Sequence, residues 1–335
     1  MRHITITDLA KHLGLSASTV SRALRDHPDI SPKTKKRVRE MANETNYQPN
    51  LIAQSLQTSR SNIIGVIVPE IHSTFFSTVI SGIEEVAYET GYTIMVCQSN
   101  DSYQRETINI QALAANRVAG ILLSISQETT NFNHLETVMA QGIPLVLFDR
   151  ITEDLEVGQV MVDDFRGAHT AVSHLIERGK KKIAHLAGTP NLYVSRKRLE
   201  GYKAALSDHN IPITDDYIVH GGYQNEDGYK GAGILCELDN RPDAIFAVND
   251  PVALGAYMYL MDHDIAIPKE IALVGFSNNP DTLLVRPRLT TINQPAFDMG
   301  ASAAKLMLRQ LEPSHAGKIN QRIVLKTRLI VRESS

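Results

Sequence analysis

The chain has 335 residues, 43% of them hydrophobic, enough to bury two or three cores. Its two cysteines, Cys97 and Cys236, lie far apart inside apolar runs, which excludes a disulfide framework or clustered zinc ligands and leads us to expect a reducing, cytoplasmic setting. The net charge of −3 is unevenly spread: residues 1–60 hold ten Lys and Arg against five Asp and Glu, a balance of +5, while the remainder carries −8, so a polyanionic partner is expected for the head alone.

MRHITITDLAKHLG opens without a continuous apolar segment, and no run approaches the ~18 residues of a membrane span, so no membrane partner is expected. Ile6, Leu9, Ala10 and Leu13 share one helical face, and Thr5 with Asp8 forms a capping pattern at its start. Gly14 ends that helix and Ser16 is placed to cap a second, with Val20, Ala23 and Leu24 inward and Ala17, Ser18, Ser21, Arg22 and Arg25 more outward. A small residue at Ala10, a glycine that tolerates a left-handed turn at Gly14 and a branched residue at Val20 suit a helix-turn-helix.

A third helix is expected from Ser31 as N-cap and Pro32 at its first position. Val38, Met41, Ala42 and Tyr47 would pack beneath the other two, leaving Lys33, Lys35, Lys36, Arg37 and Arg39 on its outer side. Such a unit, with Arg and small polar side chains displayed on its second helix, suits a DNA major groove. The connector YQPNLIAQSL follows, with Ile52, Ala53 and Leu56 along one side of a short helix. About eight residues is below the ~12–15 at which an isolated helix becomes marginally stable, so burial against a partner is needed.

From Ile63 the pattern alternates. NIIGVIV, YTIMVCQ, VAGILLS and PLVLFD are apolar runs separated by helical segments, and after QVMVDD the series restarts with KIAHLAG, DAIFAVND and IALVGFS. Continuous apolar strands joined by helices indicate parallel sheets covered on both faces, arranged as two Rossmann-like lobes facing a shared crevice. Asp149, Asn249 and Ser277 fall at strand ends, and Arg198 follows SRK. A carboxylate, a guanidinium and an amide suit the hydroxyls of a small polyol, with His72, Phe75, Phe76 and Tyr223 as stacking surfaces. Asp149 or Asn249 could equally cap the helix that follows.

TITDLAKHLGLSASTVSRAL, ISPKTKKRV and NYQPNLIAQSL together resemble the DNA-binding head of the lactose-repressor (LacI/GalR) family over residues 4–58, and the body resembles that family's effector-binding domain, related to periplasmic sugar-binding proteins. The resemblance implies a head over 1–48, a hinge helix and linker over 49–61, and a body over 62–335. Within the body it implies one lobe of about 62–160 and 293–320 and another of about 163–289 and 323–332, with crossings near 160–163, 289–294 and 319–323.

It further implies that Thr5, Ser16, Thr19 and Ser21 hold phosphates and that Ala17, Ser18 and Arg22 face bases, with Arg22 suited to a guanine. Asn50, Ala53 and Leu56 would belong to paired hinge helices whose leucines enter the minor groove of a pseudo-palindromic operator bound by a homodimer. His72, Phe75, Phe76, Asp149, Arg198, Tyr223, Asn249 and Ser277 would contact an effector, a sugar or sugar derivative, and regulation would be allosteric, with repression the expected sign. The family commonly has an acid where this chain has Ser277, which would leave Arg198 less compensated and favour a sugar phosphate or acid sugar, a neutral sugar remaining open. Some members answer mainly to a protein co-effector, which is the alternative within the family.

A solute-binding transport protein would explain the body but gives the basic head no role. An enzyme is not expected: there is no G-x-G-x-x-G after the first strand, no Walker-type G-K-S/T, no G-x-S-x-G elbow and no metal-spaced His pair, and neither cofactor nor metal is expected.

Overall fold

Thr5 sets where the first helix begins. Its hydroxyl accepts from Asp8 N (3.3 Å) while the Asp8 carboxylate takes the Thr5 N–H (3.0 Å), the reciprocal pair that satisfies two otherwise orphaned donors. α1 (Ile6–Leu13) ends at Gly14, which has φ +65° and needs no Cβ there. Ser16 Oγ accepts from Thr19 N (3.1 Å) at the start of α2 (Ala17–Leu24), and Ser31 caps α3 (Pro32–Glu44) through Thr34 N (3.2 Å). Leu9, Ala10, Leu13, Val20, Ala23, Val38 and Ala42 form the buried core between the three helices.

The computed structural model describes residues 4–24, 26–45, 47, 61–312 and 320–335, in two units, Met1–Ser61 and Asn62–Ser335. Arg25 and the connector positions Asn50, Ala53 and Leu56 lie outside the described residues. On α3, Lys33, Lys36, Arg37 and Arg39 are exposed as expected and Lys35 is half-buried; Lys35 and Arg39 both reach Asp26 (3.1 and 3.0 Å), and these charges hold the Asp26 carboxyl below its usual range.

In the second unit the apolar runs become β1 (Ile63–Val68), β2 (Thr93–Gln98), β3 (Gly120–Leu123), β4 (Leu145–Phe148) and β5 (Gly158–Val162), then β6 (Ile183–Ala187), β7 (Ile218–His220), β8 (Ala244–Ala247), β9 (Ala272–Ser277) and β10 (Thr290–Asn293). The C-terminal run supplies β11 (Arg322–Leu325) and β12 (Arg328–Ile330). Between them run α4 (Thr74–Glu89), α5 (Tyr103–Ala115), α6 (Asn133–Ala140), α7 (Asp164–Glu177), α8 (Tyr193–Asp208), α9 (Asn225–Cys236), α10 (Asp250–Asp262) and α11 (Ala296–Leu311).

Two sheets result, ordered β11-β5-β4-β3-β1-β2 and β12-β10-β9-β8-β6-β7. All pairings are parallel except β12 against β10. Inner strands such as β3 and β8 are buried at every residue, as strands covered by helices on both faces must be. Helix pairs cross tightly at glycines: a Cβ on Gly82 of α4 would collide with the Phe297 carbonyl of α11, and one on Gly300 with the Val79 carbonyl.

Each lobe therefore draws on separated stretches. The first crossing follows β5 at Asp163, and the second falls between Asn293 and Ala296. The expected lobe limits shift accordingly. β10 pairs in register with β9, so the second lobe extends to residue 293 rather than 289. β11 pairs with β5 of the first sheet, so the third crossing is at Lys326 and Thr327 rather than 319–323. Among the described residues no helix is long and apolar enough to cross a membrane.

Candidate functional site

On the first unit, Thr5, Ser16, Ala17, Ser18 and Arg22 are exposed, while Thr19 and Ser21 are half-buried. Ser16 Oγ also meets the Ser18 and Thr19 hydroxyls (2.9 and 2.8 Å), so the start of α2 presents a hydrogen-bonded set of hydroxyls beside an exposed guanidinium one turn along. A surface of small hydroxyls with one long planar cation is suited to phosphate oxygens and a base edge, since Arg pairs with guanine through two parallel donors. The prediction for Asn50, Ala53 and Leu56 lies outside the described residues.

On the second unit, strand C-terminal ends of both sheets open on one crevice, as expected for doubly wound sheets. Its inner chamber, about 60 Å³, is lined by Phe75, Phe76, Asp149, Arg198, Tyr223, Asn249 and Ser277, together with Ser73, Arg150, Val194, Pro251, Asn279 and Gln294. An outer chamber of about 180 Å³ continues from it and is lined by His72, Glu70 and Gln224 among others. Seven of the eight residues singled out in the sequence thus share the inner chamber. His72, with an exposed side chain, stands outside it, 3.4 Å from Glu70.

Asp149 follows β4 in the left-handed region (φ 57°), which turns its side chain away from the strand direction. It is buried, and burial pushes its carboxyl above the usual range while the Arg198 and Arg150 charges pull the other way. It accepts one long hydrogen bond, 3.4 Å from Gln294 Nε2, so it retains capacity to accept more. Asn249 does cap the following helix: Oδ1 accepts from Val252 N (2.9 Å) and Nδ2 donates to the Tyr223 carbonyl (3.0 Å). Ser277, at φ 129°, donates to Gln294 Oε1 (2.9 Å).

Arg198 overturns the inference drawn from Ser277. Its Nε and Nη2 lie 2.8 and 2.7 Å from Asp164 Oδ1, its Nη1 donates to the Val248 carbonyl (2.5 Å), and its guanidinium stacks 3.8 Å over the Phe276 ring. The compensating charge comes from α7 instead of the β9 end, so Arg198 is not left waiting for an anionic ligand. Burial pushes the Asp164 carboxyl up to about 6 against the pull of Arg198.

Arg150 and Gln294 went unremarked in the sequence. Arg150 is buried, bonded to Asp101, and lies 4.7 Å from the Tyr223 ring centroid and 5.8 Å from that of Phe76. A signal for it existed, since it directly follows Asp149 at the same strand end. Gln294 sits at the edge of the expected crossing, where a polar side chain reaches both lobes. Asp164 had no such signal, because its tie to Arg198 is tertiary.

Comparison with known proteins bears on both sites. Residues 5–50 match the family described as bacterial regulatory proteins, lacI family, and residues 172–335 match the periplasmic binding protein-like domain. Catabolite control protein A of Priestia megaterium is 32% identical over 310 residues, covering 92% of this chain and 93% of that protein. The structure of the lac repressor dimer bound to operator and the anti-inducer ONPF superposes with a TM-score of 0.84 at 25% identity, covering 99% of each chain. A LacI family transcriptional regulator from Enterococcus faecium with bound ribose gives 0.72 at 29% identity, covering 82% of this chain and 98% of that one.

Proposed function

This chain belongs to the lacI family of bacterial regulatory proteins, and from that premise we propose an allosteric DNA-binding repressor whose effector is a small uncharged carbohydrate held between the two lobes. As a DNA-binding regulator of this family, it would act as a homodimer that aligns two heads on a pseudo-palindromic operator. Arg22 would pair with a guanine, Ala17 and Ser18 would lie against neighbouring base edges, and Thr5, Ser16, Thr19 and Ser21 would hold phosphates. The cleft would bind without chemical turnover.

One observation carries the choice of effector: both guanidiniums of the cleft are already matched by buried or half-buried carboxylates, Arg150 by Asp101 and Arg198 by Asp164. Asp149 adds a third acid, whose carboxyl burial pushes up, and no further cation, so a phosphate or carboxylate on the ligand would meet no uncompensated positive charge. Hydroxyls are the better fit. They would donate to the Asp149 oxygens and accept from Arg150 and Arg198, while Phe75, Phe76 and Tyr223 cover the ring's apolar face.

Because the same cleft residues come from both lobes, ligand closure changes the lobe positions, and coupling to operator affinity is reciprocal. The test is a thermal-shift comparison of neutral monosaccharides with their phosphates. A neutral sugar at 100 times its dissociation constant should add ~2.7 kcal/mol to the body and change operator affinity in the same preparation. Stabilisation by the phosphates alone would sink the neutral-sugar reading.

A further inference from the structure

The outer chamber is bridged from wall to wall. Glu70 stands just beyond β1 of the first lobe and Gln224 is the N-cap of α9 on the second, and Gln224 Nε2 donates to Glu70 Oε1 at 2.5 Å. Both side chains line the outer chamber and neither lines the inner one. Each end is anchored independently. The loop carrying Glu70 is tied to β2 by Ile71 N, which donates to Gln98 Oε1 (3.0 Å), and the Gln224 N–H is held by Asp227 (3.0 Å).

The polar groups suited to sugar hydroxyls converge in the inner chamber, whose volume of about 60 Å³ is well under the ~150 Å³ that holds a benzene-sized ligand, so one ring takes up this space and the adjoining part of the outer chamber. A second ring would have to continue outward, through the space the Glu70 and Gln224 contact spans. We propose that Glu70 and Gln224 form a latch that closes the mouth of the cleft and limits its ligand to a single ring, making these two residues determinants of ligand length. This assignment rests on the carbohydrate reading above and adds to it two residues outside the inner chamber.

A charge-assisted hydrogen bond between two anchored points is worth roughly tenfold in an equilibrium. Titration calorimetry on the full chain with D-ribose, D-glucose and cellobiose would compare wild type, Glu70→Ala, Gln224→Ala and the exchange of Glu70→Gln with Gln224→Glu. Wild type should prefer a monosaccharide over cellobiose. Either alanine should narrow that preference about tenfold and weaken monosaccharide affinity by a similar factor. The exchange, which rebuilds the bond with donor and acceptor reversed, should restore both.

An unchanged preference in Glu70→Ala, or wild type that takes cellobiose as readily as glucose, would overturn the length determinant. Hydrogen exchange on the ligand-free chain separates this from failure of the carbohydrate reading. Loss of the latch should speed exchange in 69–73 and 223–226 together, and no change there overturns the latch. Joint acceleration with none of the three sugars bound by any variant would support the latch and sink the carbohydrate reading.

Discussion

Replacing Arg198 by Ala removes four things at once: two donors to Asp164, one to the Val248 carbonyl, and a cation stacked on Phe276. Asp164 is 2% exposed, so it cannot turn to water for compensation. Removing one partner of a buried pair costs about 3–5 kcal/mol when the remaining charge stays ionised. Asp164 has an escape, since burial already holds its carboxyl at about 6 and Arg198 is what keeps it from rising further. Without Arg198 its pKa rises above 6, and the acid stays protonated over a wider range.

The penalty must therefore depend on pH. Below about 6 both proteins carry a protonated Asp164, and the loss reduces to the Val248 carbonyl and the ring contact, about 1–3 kcal/mol. As pH rises above 6, wild type ionises Asp164 beside Arg198 while the variant cannot do so cheaply, and the difference grows towards the full value. Urea denaturation of the body at pH 5 and pH 8 measures this, with Asp164→Asn combined with Arg198→Ala as the control. The double variant should lose less than Arg198→Ala at pH 8. Equal losses for Arg198→Ala at both pH values would refute the reasoning.

Gly82→Ala should cost about 1–3 kcal/mol by calorimetric or denaturant unfolding, because its Cβ meets a backbone carbonyl of α11 that cannot rotate away, and a propensity gain of ~1 kcal/mol for Ala in a helix does not recover this. Asp250 is fully buried, with its carboxyl pushed up to about 6 by burial despite hydrogen bonds from Thr291 Oγ1 (2.6 Å) and Asn279 N (2.7 Å). The folded state thus binds this proton more tightly than the unfolded chain, so wild type should lose stability relative to Asp250→Asn as pH rises from about 4 to 6 and hold a constant difference above it, and the opposite slope would contradict the assignment. Arg22→Ala should weaken an operator selected from random DNA by about 1–3 kcal/mol in fluorescence anisotropy and relax preference at one guanine, leaving non-specific binding less affected.

Much of this was legible locally. The caps at Thr5, Ser16 and Ser31 and the turn at Gly14 depend on neighbours within four residues, so their spacing in the chain predicts them. The same holds for the parallel strands, whose continuous apolar runs follow from burial on both faces. Asp149, Asn249 and Ser277 were legible because doubly wound sheets bring strand ends together wherever they lie in the chain, whereas Arg198 lies within α8, away from any strand end.

Pairing between distant segments was decided by tertiary structure alone. The run QRIVLKTRLIVRESS has one alternating pattern, yet its two halves join different sheets, because β5 and β10 offer the edges that accept them. Charge matching in the cleft has the same origin. Ser277 suggested a surplus cation, but the balance around Arg198 is set by Asp164, 34 positions away on another helix. A sequence pattern records which side chains are apolar and how they repeat, which determines elements, caps and the general place of the crevice. Which acid neutralises which cation, and so what charge a ligand can carry, depends on distances that exist only once both lobes have folded.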